Sequence, residues 1–435
     1  MSLKVVFLMS NKNIEFKDSG IPWIGQIPKH WEVIRNKYIL SGLYSGGTPT
    51  SGTAKFYTDE DYGIPFVSIG DMSKKEFIES TKTKITKLGI LDKNLKILPK
   101  NTILYSIYAT IGEVAELKCS ATISQALLAL FVKNSYNKQF YKYNLKAMKD
   151  YIFFESSGTT QFNLNAKKVL NFSFVLPPLN EQKEIAEFLD KKCEIIDKRL
   201  SNLERKIKSL KEYKKSLISE CVTKGLNPKI LKFKDSGIPW IGQIPKHWEI
   251  KKGKYIFTNP QKPVLETDEV ITCFRDGEVT LRSKRREDGF TISLKEIGYQ
   301  GIDAGDLVIH GMDGFAGAIG ISEYRGKCSP VLNILETKNS KKFYMYFLRS
   351  MAYNGVFEAL STGIRVRTCD TNWAKIKNIV YLVPPLNEQK EIAEFLDKKC
   401  EKIDRLNENY TKQIAALKEY KKSLIYECVT GKKEI

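Results

Sequence analysis

The sequence PPLNEQKEIAEFLDKKCE occupies residues 177–194 and recurs without change at residues 384–401. A second block, LKEYKKSLISECVT at 210–223, returns at 417–430 with a single replacement. A repeat whose period is about half the chain indicates two similar units rather than a solenoid of short repeats. The sequence therefore predicts an internally duplicated protein with a pseudo-twofold repeat.

The residues that follow each Pro-Pro pair predict a long helix. Segment 180–222 contains no Pro or Gly and is rich in Glu, Lys, Leu and Ile, which favour helix. Its apolar positions alternate at steps of four and three, as in a coiled-coil seam. The second copy keeps this seam with Asn407 as a polar member, either to set the register or contact another protein or as a tolerated exposed position. A narrow apolar stripe needs a partner, so we expect the two copies to pack together as an antiparallel pair. Asn180 and Asn387 are predicted to cap the two helices.

Another constant block precedes each of two dissimilar stretches. FKDSGIPWIGQIPKHWEV at 16–33 returns at 233–250 with one replacement, whereas 34–176 and 251–383 look very different. Both of these inserts combine short apolar runs typical of strands with a later helical segment, which predicts mixed α+β structure. A constant frame suits a constant partner, and variable inserts suit two different targets. Because the tryptophans of the frame precede both inserts unchanged, their predicted role is packing.

Composition restricts the class of protein. The 435 residues carry a net charge of +20, which favours a polyanionic partner; a lysine-rich composition without such a role is the alternative. No apolar run reaches the length of a membrane span or a secretory signal, so we expect a cytoplasmic protein with no membrane partner. Eight cysteines without CxxC spacing and only three histidines argue against a disulfide framework or a metal site.

The motifs of nucleotide-dependent and methyl-transfer enzymes are missing from the sequence. GFAGAIG at 314–320 resembles a dinucleotide-binding turn, but its context indicates strand-turn-strand without the required helix. We find no GxxxxGK loop for ATP, no adenine-methylation motif and no clear acidic nuclease cluster. We therefore predict no catalytic, cofactor-binding or metal-binding residues. A stand-alone methyltransferase or nuclease with unrecognised motifs, and a coiled-coil scaffold without a DNA role, remain as alternatives.

Candidate DNA contacts lie in polar loops of the two inserts. Arginine reads guanine or holds phosphate, Gln and Asn pair with adenine edges, and Thr and Lys more often hold the backbone. For each single residue a solvated surface side chain is the alternative. The predicted DNA-contacting residues are Lys74, Lys75, Thr159, Thr160, Gln161, Asn163, Asn165, Arg282, Lys284, Arg285, Arg286, Arg365 and Arg367.

The constant blocks resemble those of the specificity (S) subunits of Type I restriction–modification enzymes. The likeness spans nearly the whole chain, and the paired occurrence of the motifs makes it specific. The start of the first insert also resembles a common beginning of such recognition domains. The motifs concerned are SGIPWIGQIPKHWE at 19–32 and 236–249, PPLNEQKEIAEFLD at 177–190 and 384–397, GGTPT at 46–50 and IPFVSIGDM at 64–72.

The resemblance implies an α+β fold in which two target-recognition domains of mixed α/β structure are joined by two long antiparallel coiled-coil helices. The corresponding divisions are 1–176 for the first recognition domain, 177–224 for the first long helix, 225–383 for the linker and second recognition domain, and 384–435 for the second long helix.

In function, the resemblance implies a non-catalytic, DNA-binding specificity subunit. Each recognition domain would read one half of a split, asymmetric sequence in double-stranded DNA. The long helices would fix the gap between the halves and bind two methyltransferase (M) subunits. Those subunits would carry S-adenosylmethionine, and restriction (R) subunits would join them in the full complex, while this chain would hold no cofactor.

Overall fold

The computed structural model describes residues 15–73, 75–156, 164–227, 232–285, 296–359 and 371–435. The chain forms two compact units, one made of Met1–Asn202 with Gln413–Ile435 and the other of Leu203–Lys412. Each unit thus contains one variable insert and a segment of each long helix. In the described part of the chain, no helix is both long and apolar enough to span a bilayer.

Among its described residues, the first unit contains a five-stranded sheet, a four-stranded sheet and two pairs of strands. Its strands are β1 Phe16–Asp18, β2 Gln26–Pro28, β3 Glu32–Arg35, β4 Leu40–Ser45, β5 Tyr57–Thr58, β6 Ile64–Val67, β7 Phe77–Ile78, β8 Thr83–Ile85, β9 Ile103–Ser106, β10 Val114–Leu117, β11 Thr122–Ile123, β12 Leu127–Val132 and β13 Ser173–Leu176. Its helices are α1 Asn36–Ile39, α2 Ile69–Met72, α3 Lys87–Asp92, α4 Lys138–Ser156, α5 Ala166–Leu170 and the beginning of α6 Leu179–Lys224.

The main sheet of the first unit has five strands in the order β4-β12-β9-β10-β7. A second sheet follows the order β11-β6-β8-β5. Apolar residues of β9, β12 and α4 share one core with the first turns of α6 and the end of the second long helix. The first variable insert therefore packs directly on both long helices of its unit, which fixes its position by burial of apolar surface.

Among its described residues, the second unit contains a three-stranded sheet and four pairs of strands. Its strands are β14 Phe233–Asp235, β15 Gln243–Pro245, β16 Glu249–Lys252, β17 Ile271–Cys273, β18 Val279–Leu281, β19 Gln300–Ile302, β20 Leu307–His310, β21 Ile319–Ile321, β22 Gly326–Cys328, β23 Leu332–Leu335 and β24 Val380–Val383. Its helices are α7 Arg282–Arg285, α8 Lys341–Tyr353, α9 Val356–Ala359, α10 Trp373–Ile376 and the beginning of α11 Leu386–Val429.

The central sheet of the second unit has the order β21-β20-β23, all antiparallel. Helix α8 packs on it and joins the core that also contains the end of α6 and the start of α11. The glycine-rich stretch 314–320 forms a 3₁₀ turn, Gly314–Ala316, followed by β21. This strand-turn-strand hairpin agrees with the sequence-based rejection of a dinucleotide-binding turn.

The predicted long helices are confirmed as α6 and α11. In the first unit the start of α6 and the end of α11 share a core, and Lys421 Nζ lies 2.7 Å from a carboxylate oxygen of Asp197. In the second unit the end of α6 packs with the start of α11, and Lys214 Nζ lies 2.6 Å from Asp404. In each unit the start of one long helix packs against the end of the other, so the two helix segments run antiparallel.

The predicted caps at Asn180 and Asn387 are wrong, because the helices begin one residue earlier, at Leu179 and Leu386. Each asparagine therefore lies inside the first turn. The glutamine two residues after each asparagine instead bonds back to the Pro-Pro segment, since Gln182 Nε2 donates to Pro177 O at 2.9 Å.

Candidate functional site

The constant frame meets the long helix through a glutamate clamp in the first unit. Strand β3 pairs with β13, so the end of the frame lies beside the Pro-Pro segment. Trp31 Nε1 donates to Glu181 Oε2 at 3.0 Å, and His30 Nε2 lies 2.9 Å from Glu181 Oε1. Because the Trp31 side chain is buried, its N–H needs this acceptor.

The second unit repeats the clamp with equal geometry. Strand β16 pairs with β24, Trp248 Nε1 donates to Glu388 Oε2 at 2.9 Å, and His247 Nε2 lies 2.7 Å from Glu388 Oε1. Trp248 is fully buried. The tryptophans that follow the Lys-His pairs therefore serve packing, as the sequence predicts, and they also attach the frame to the long helix. Identical clamps hold two dissimilar inserts.

A second contact ties the helix of each insert to the long helix. Tyr143 in α4 donates its hydroxyl to Asp190 of α6 at 2.7 Å, and Tyr346 in α8 donates to Asp397 of α11 at the same distance. Burial is the main cause that raises the pKa of the Tyr143 hydroxyl, and the hydrogen bond to Asp190 adds to it. Each tyrosine therefore stays a proton donor over the ordinary pH range.

The start of each insert helix is also held by the long helix. Gln182 Oε1 accepts the backbone N–H of Asn137, and Gln389 Oε1 accepts that of Ser340, at 2.9 and 3.0 Å. The glutamate, glutamine and aspartate of the repeated block thus make the same set of bonds in each unit. The variable inserts share one mode of attachment, which leaves their outer loops to differ.

The basic cluster predicted in the second insert is partly paired within the domain. Arg285 extends over the Phe274 ring, with its guanidinium carbon 4.1 Å from the centroid, and donates to Asp276 and Glu278. The hydrogen bond from Arg285 is the main cause that lowers the pKa of Asp276. Arg285 is therefore held in one orientation, with its charge largely balanced.

The two neighbours of Arg285 also contact the protein. Lys284 Nζ lies 4.1 Å above the centroid of the Tyr324 ring and donates to its hydroxyl at 2.8 Å. Arg282 Nε donates to Thr272 Oγ1 at 3.3 Å. Lys284 is exposed, so its ammonium faces solvent while an aromatic ring sets its direction, as the Phe274 ring does for Arg285.

In the first insert the structure places two of the predicted residues. Lys75 is exposed, just after α2. Asn165 caps α5, because its side chain accepts the backbone N–H of Lys168 at 2.9 Å. This gives Asn165 a structural role that the Asn-Ala-Lys-Lys pattern signals in the sequence. The predicted contacts Lys74, Thr159, Thr160, Gln161, Asn163, Arg286, Arg365 and Arg367 lie outside the described residues.

A dense ion-pair network in the second insert proves to be structural. Lys262 Nζ lies 2.7 Å from Asp306 and 2.9 Å from Asp303, and Arg325 bonds to Asp268 and Asp303. The hydrogen bond from Lys262 is the main cause that lowers the pKa of Asp303, so this carboxyl stays ionised. Fully paired carboxylates are unsuited to proton transfer. Within the described ranges, no group of His, Cys, Asp and Glu is arranged to hold a metal ion.

Residues 28–210 match the family described as the Type I restriction modification DNA specificity domain. The Type I restriction enzyme MjaIX specificity subunit of Methanocaldococcus jannaschii is 31% identical over 179 residues, which cover 40% of this chain and 40% of that protein. In that alignment the chain spans less than half the length of its relative. The putative MjaX specificity subunit of the same organism is 26% identical, over 98% of this chain and 99% of that protein.

The fold also has a counterpart among solved structures. A chain from work on complex assembly and conformational transition of the type I R-M system superimposes with a TM-score of 0.66. Its sequence identity is 13%, and the match covers 94% of this chain and 99% of that chain. At this identity the likeness concerns the fold, which extends over nearly the whole of both chains.

Proposed function

We propose that the chain is the DNA-binding specificity subunit of a Type I restriction–modification complex, because residues 28–210 match the family described as the Type I restriction modification DNA specificity domain. Each insert reads one half of a split, asymmetric sequence in double-stranded DNA. The two long helices fix the gap between the halves. The chain recruits methyltransferase and restriction subunits and performs no chemistry itself.

One observation carries this proposal, namely the repeated attachment of unlike inserts. The bonds of Glu181 and Gln182 recur at Glu388 and Gln389, whereas the inserts they hold share little sequence. Identical attachment preserves the placement of each insert on its helix pair while its loops change. That division of labour is what reading two unrelated half-sites with one constant assembly requires.

We assign the partners and the location on the same basis. Two methyltransferase subunits bind the duplicated constant surface, one for each copy, and restriction subunits join the full complex. The net charge of +20 supports binding to DNA, because each neutralised phosphate releases counterions. A protein of this function works in the cytoplasm. The division into two recognition domains and two long helices, with the boundaries given above, remains part of the proposal.

The direct test is a map of methylated adenines in a genome that expresses this chain with its cognate methyltransferase. We expect one split motif with two defined halves and a fixed gap. A stand-alone enzyme is distinguished by incubating the purified chain with DNA and labelled S-adenosylmethionine, where we expect no transfer. A scaffold without a DNA role is excluded if the assembled complex binds DNA with strong salt dependence.

The polar residues predicted from the sequence remain our proposed DNA contacts. For Arg365, replacement by alanine separates two modes of contact. A loss of about 1–3 kcal/mol with relaxed choice at one base pair indicates base reading, and an even loss with a smaller salt slope indicates phosphate contact. Unchanged affinity on every sequence would remove Arg365 from the contact surface.

A further inference from the structure

Both recognition domains have a seven-residue turn at the same end of the main sheet, directly after a central strand. In the first domain, β9 ends at Ser106 and the chain turns back to begin β10 at Val114. Ile107 N donates to Ala126 O at 2.9 Å, and Gly112 N donates to Ser106 O at 3.0 Å. We call residues 107–113 the first turn. It projects from the end of the sheet at which β12 begins.

The second domain has an equivalent turn after β20. Residues 311–317, the second turn, follow His310, and Gly311 N donates to Val331 O at 2.7 Å. The registers match, because Ser106 pairs with Leu127 at the start of β12, and His310 pairs with Leu332 at the start of β23. Two inserts with little sequence in common therefore present one structural element in the same place.

Side chains at the end of each central strand stabilise these turns. Ser106 Oγ accepts the backbone N–H of Glu113 at 2.9 Å, and His310 Nδ1 accepts those of Met312 and Asp313 at 3.2 and 3.1 Å. Such bonds fix the backbone without using the side chains at the tips. The tip residues are therefore free to differ between domains while the turn keeps its shape.

The tips carry exposed side chains that packing does not explain. Tyr108 is 43% exposed and Met312, at the equivalent position, is 54% exposed. Ala109, which follows Tyr108, has a φ of 56°, a conformation that costs energy for any residue with a side chain. Retention of such strain at an exposed tip is typical of a functional element rather than of a connection between strands.

The insert helix of each domain runs towards the end of the main sheet that carries the turn. In the first domain, Lys138 at the start of α4 bonds to Asn101, beside the beginning of β9, while Lys149 pairs with Glu113 of the turn at 2.5 Å. Helix α4 therefore runs alongside β9 and continues towards the turn.

In the second domain, α8 packs against the Gly314–Ala316 part of the turn, and two residues from other segments also contact this region. Thr371 donates from its backbone N–H to Gly311 O and from its hydroxyl to His310 O, both at 2.8 Å. Arg275 donates to Asp313 Oδ1 at 2.9 Å and is otherwise well exposed, which brings a cation to the turn. Thr371 and the exposed Met312 therefore both lie at the end of the sheet where β20 ends.

We propose that the two turns read base edges in the DNA groove, with the exposed Tyr108 and Thr110 in the first domain and with Met312 and the adjacent Arg275 in the second. The hydroxyls of Tyr and Thr bond to base edges, methyl groups contact the thymine methyl, and Arg recognises guanine. The inference rests on the proposed function and extends it to residues that no sequence motif marks. Different tips on a common turn provide the means to read different half-sites.

The test uses the full chain assembled with its cognate methyltransferase and a double-stranded DNA library randomised across both half-sites. Tyr108→Ala should lower selection at one or two base positions in one half by roughly fivefold or more, and Met312→Ala should do so in the other half. Tyr38→Ala and Tyr255→Ala are matched controls, since both residues are exposed and each lies at the end of its sheet opposite the turn. These control variants should select as the unaltered chain does.

The outcomes separate this inference from the proposed function. Unchanged selection by Tyr108→Ala and Met312→Ala, with a defined motif for the unaltered chain, would overturn the role of the turns and leave the specificity function intact. An even loss of methylation across all sequences would also overturn base reading by these residues. If the unaltered chain selected no sequence, the proposed function and this inference would both fail.

Discussion

Removal of the Glu388 carboxylate should loosen the second unit by a predictable amount. Trp248 is fully buried, and its indole N–H donates to Glu388 Oε2 at 2.9 Å. Glu388→Ala leaves this donor buried without its charged acceptor. A hydrogen bond to a charged group contributes about 1.5–3 kcal/mol, and the half-exposed His247 can exchange its own bond for water. We therefore expect a loss of about 2 kcal/mol in the free energy of unfolding.

The loss should appear in calorimetry of the full chain. For a unit of about 200 residues, each kcal/mol lowers the thermal midpoint by about 2–4 °C, so the transition should move down by about 4–8 °C. Glu391→Ala, which removes an exposed glutamate one turn later on α11, should leave the midpoint within about 1 °C. Glu181→Ala should reproduce the effect in the first unit, because the clamp is the same there.

A double-mutant cycle identifies the bond responsible. Trp248→Phe removes the donor while keeping an aromatic ring, and its combination with Glu388→Ala should cost less than the sum of the two single changes. We expect a coupling of about 1 kcal/mol or more, as found for residues in contact. If the two changes add within about 0.3 kcal/mol, the clamp does not hold the frame to the helix and this reasoning is refuted.

Three further predictions concern pH, the seam and the helices. Burial lowers the pKa of His310 below 6.5, so the stability that comes from its neutral form, which accepts hydrogen bonds, is present above pH 6.5 and is lost on acidification. The thermal midpoint of the unaltered chain should therefore fall more steeply below pH 6.5 than that of His310→Asn. Asn407 occupies the seam position that Leu200 occupies in the first copy, and its side-chain oxygen is buried without a hydrogen-bond partner among the described residues. Asn407→Leu should therefore raise the thermal midpoint by about 2–4 °C, and a lower midpoint would show that Asn407 sets the register. Seven residues inserted after both Leu203 and Tyr410 lengthen each helix by about 10 Å and should widen the methylated gap by roughly one to three base pairs; an unchanged gap would exclude the helices as the ruler.

Elements with an intrinsic repeat could be predicted closely from the sequence. The segment 180–222 was enough to define α6 to within two residues at each end, because helix-favouring composition and the seam extend over many turns. In the first insert, the short apolar run VAEL forms β10, and the later helical segment forms α4 Lys138–Ser156. In these segments the local preference and the tertiary environment favour the same structure.

Short strands and long-range contacts escaped prediction for physical reasons. Strands β14 and β17 have three residues each, too few to show alternation, and exist because a partner strand supplies their hydrogen bonds. The glutamate clamp joins residues about 150 positions apart, so no local pattern marks it. Similarly, Arg285 belongs to a charged cluster in the sequence, but its pairing with Asp276 depends on the turn between β17 and β18.

The candidate surface was predicted only in part. Polar composition pointed to loops both before and after the insert helices, whereas the turns bearing Tyr108 and Met312 carry no compositional signal. Their significance lies in matching position and exposure, which only the folded sheets reveal. The cap at Asn165 was readable from local sequence, and its presence shows how a polar residue in a loop serves the backbone as readily as a ligand.

The central claim, that each insert independently reads one half of a split DNA sequence, is tested most directly by exchanging one insert. Residues 251–383 are replaced by the corresponding insert of a known Type I specificity subunit, within the unchanged constant frames. Methylated adenines are then mapped in cells that express the hybrid chain with its methyltransferase. We predict that one half of the motif changes while the other half and the gap remain. A change in both halves, or in neither, would contradict the account.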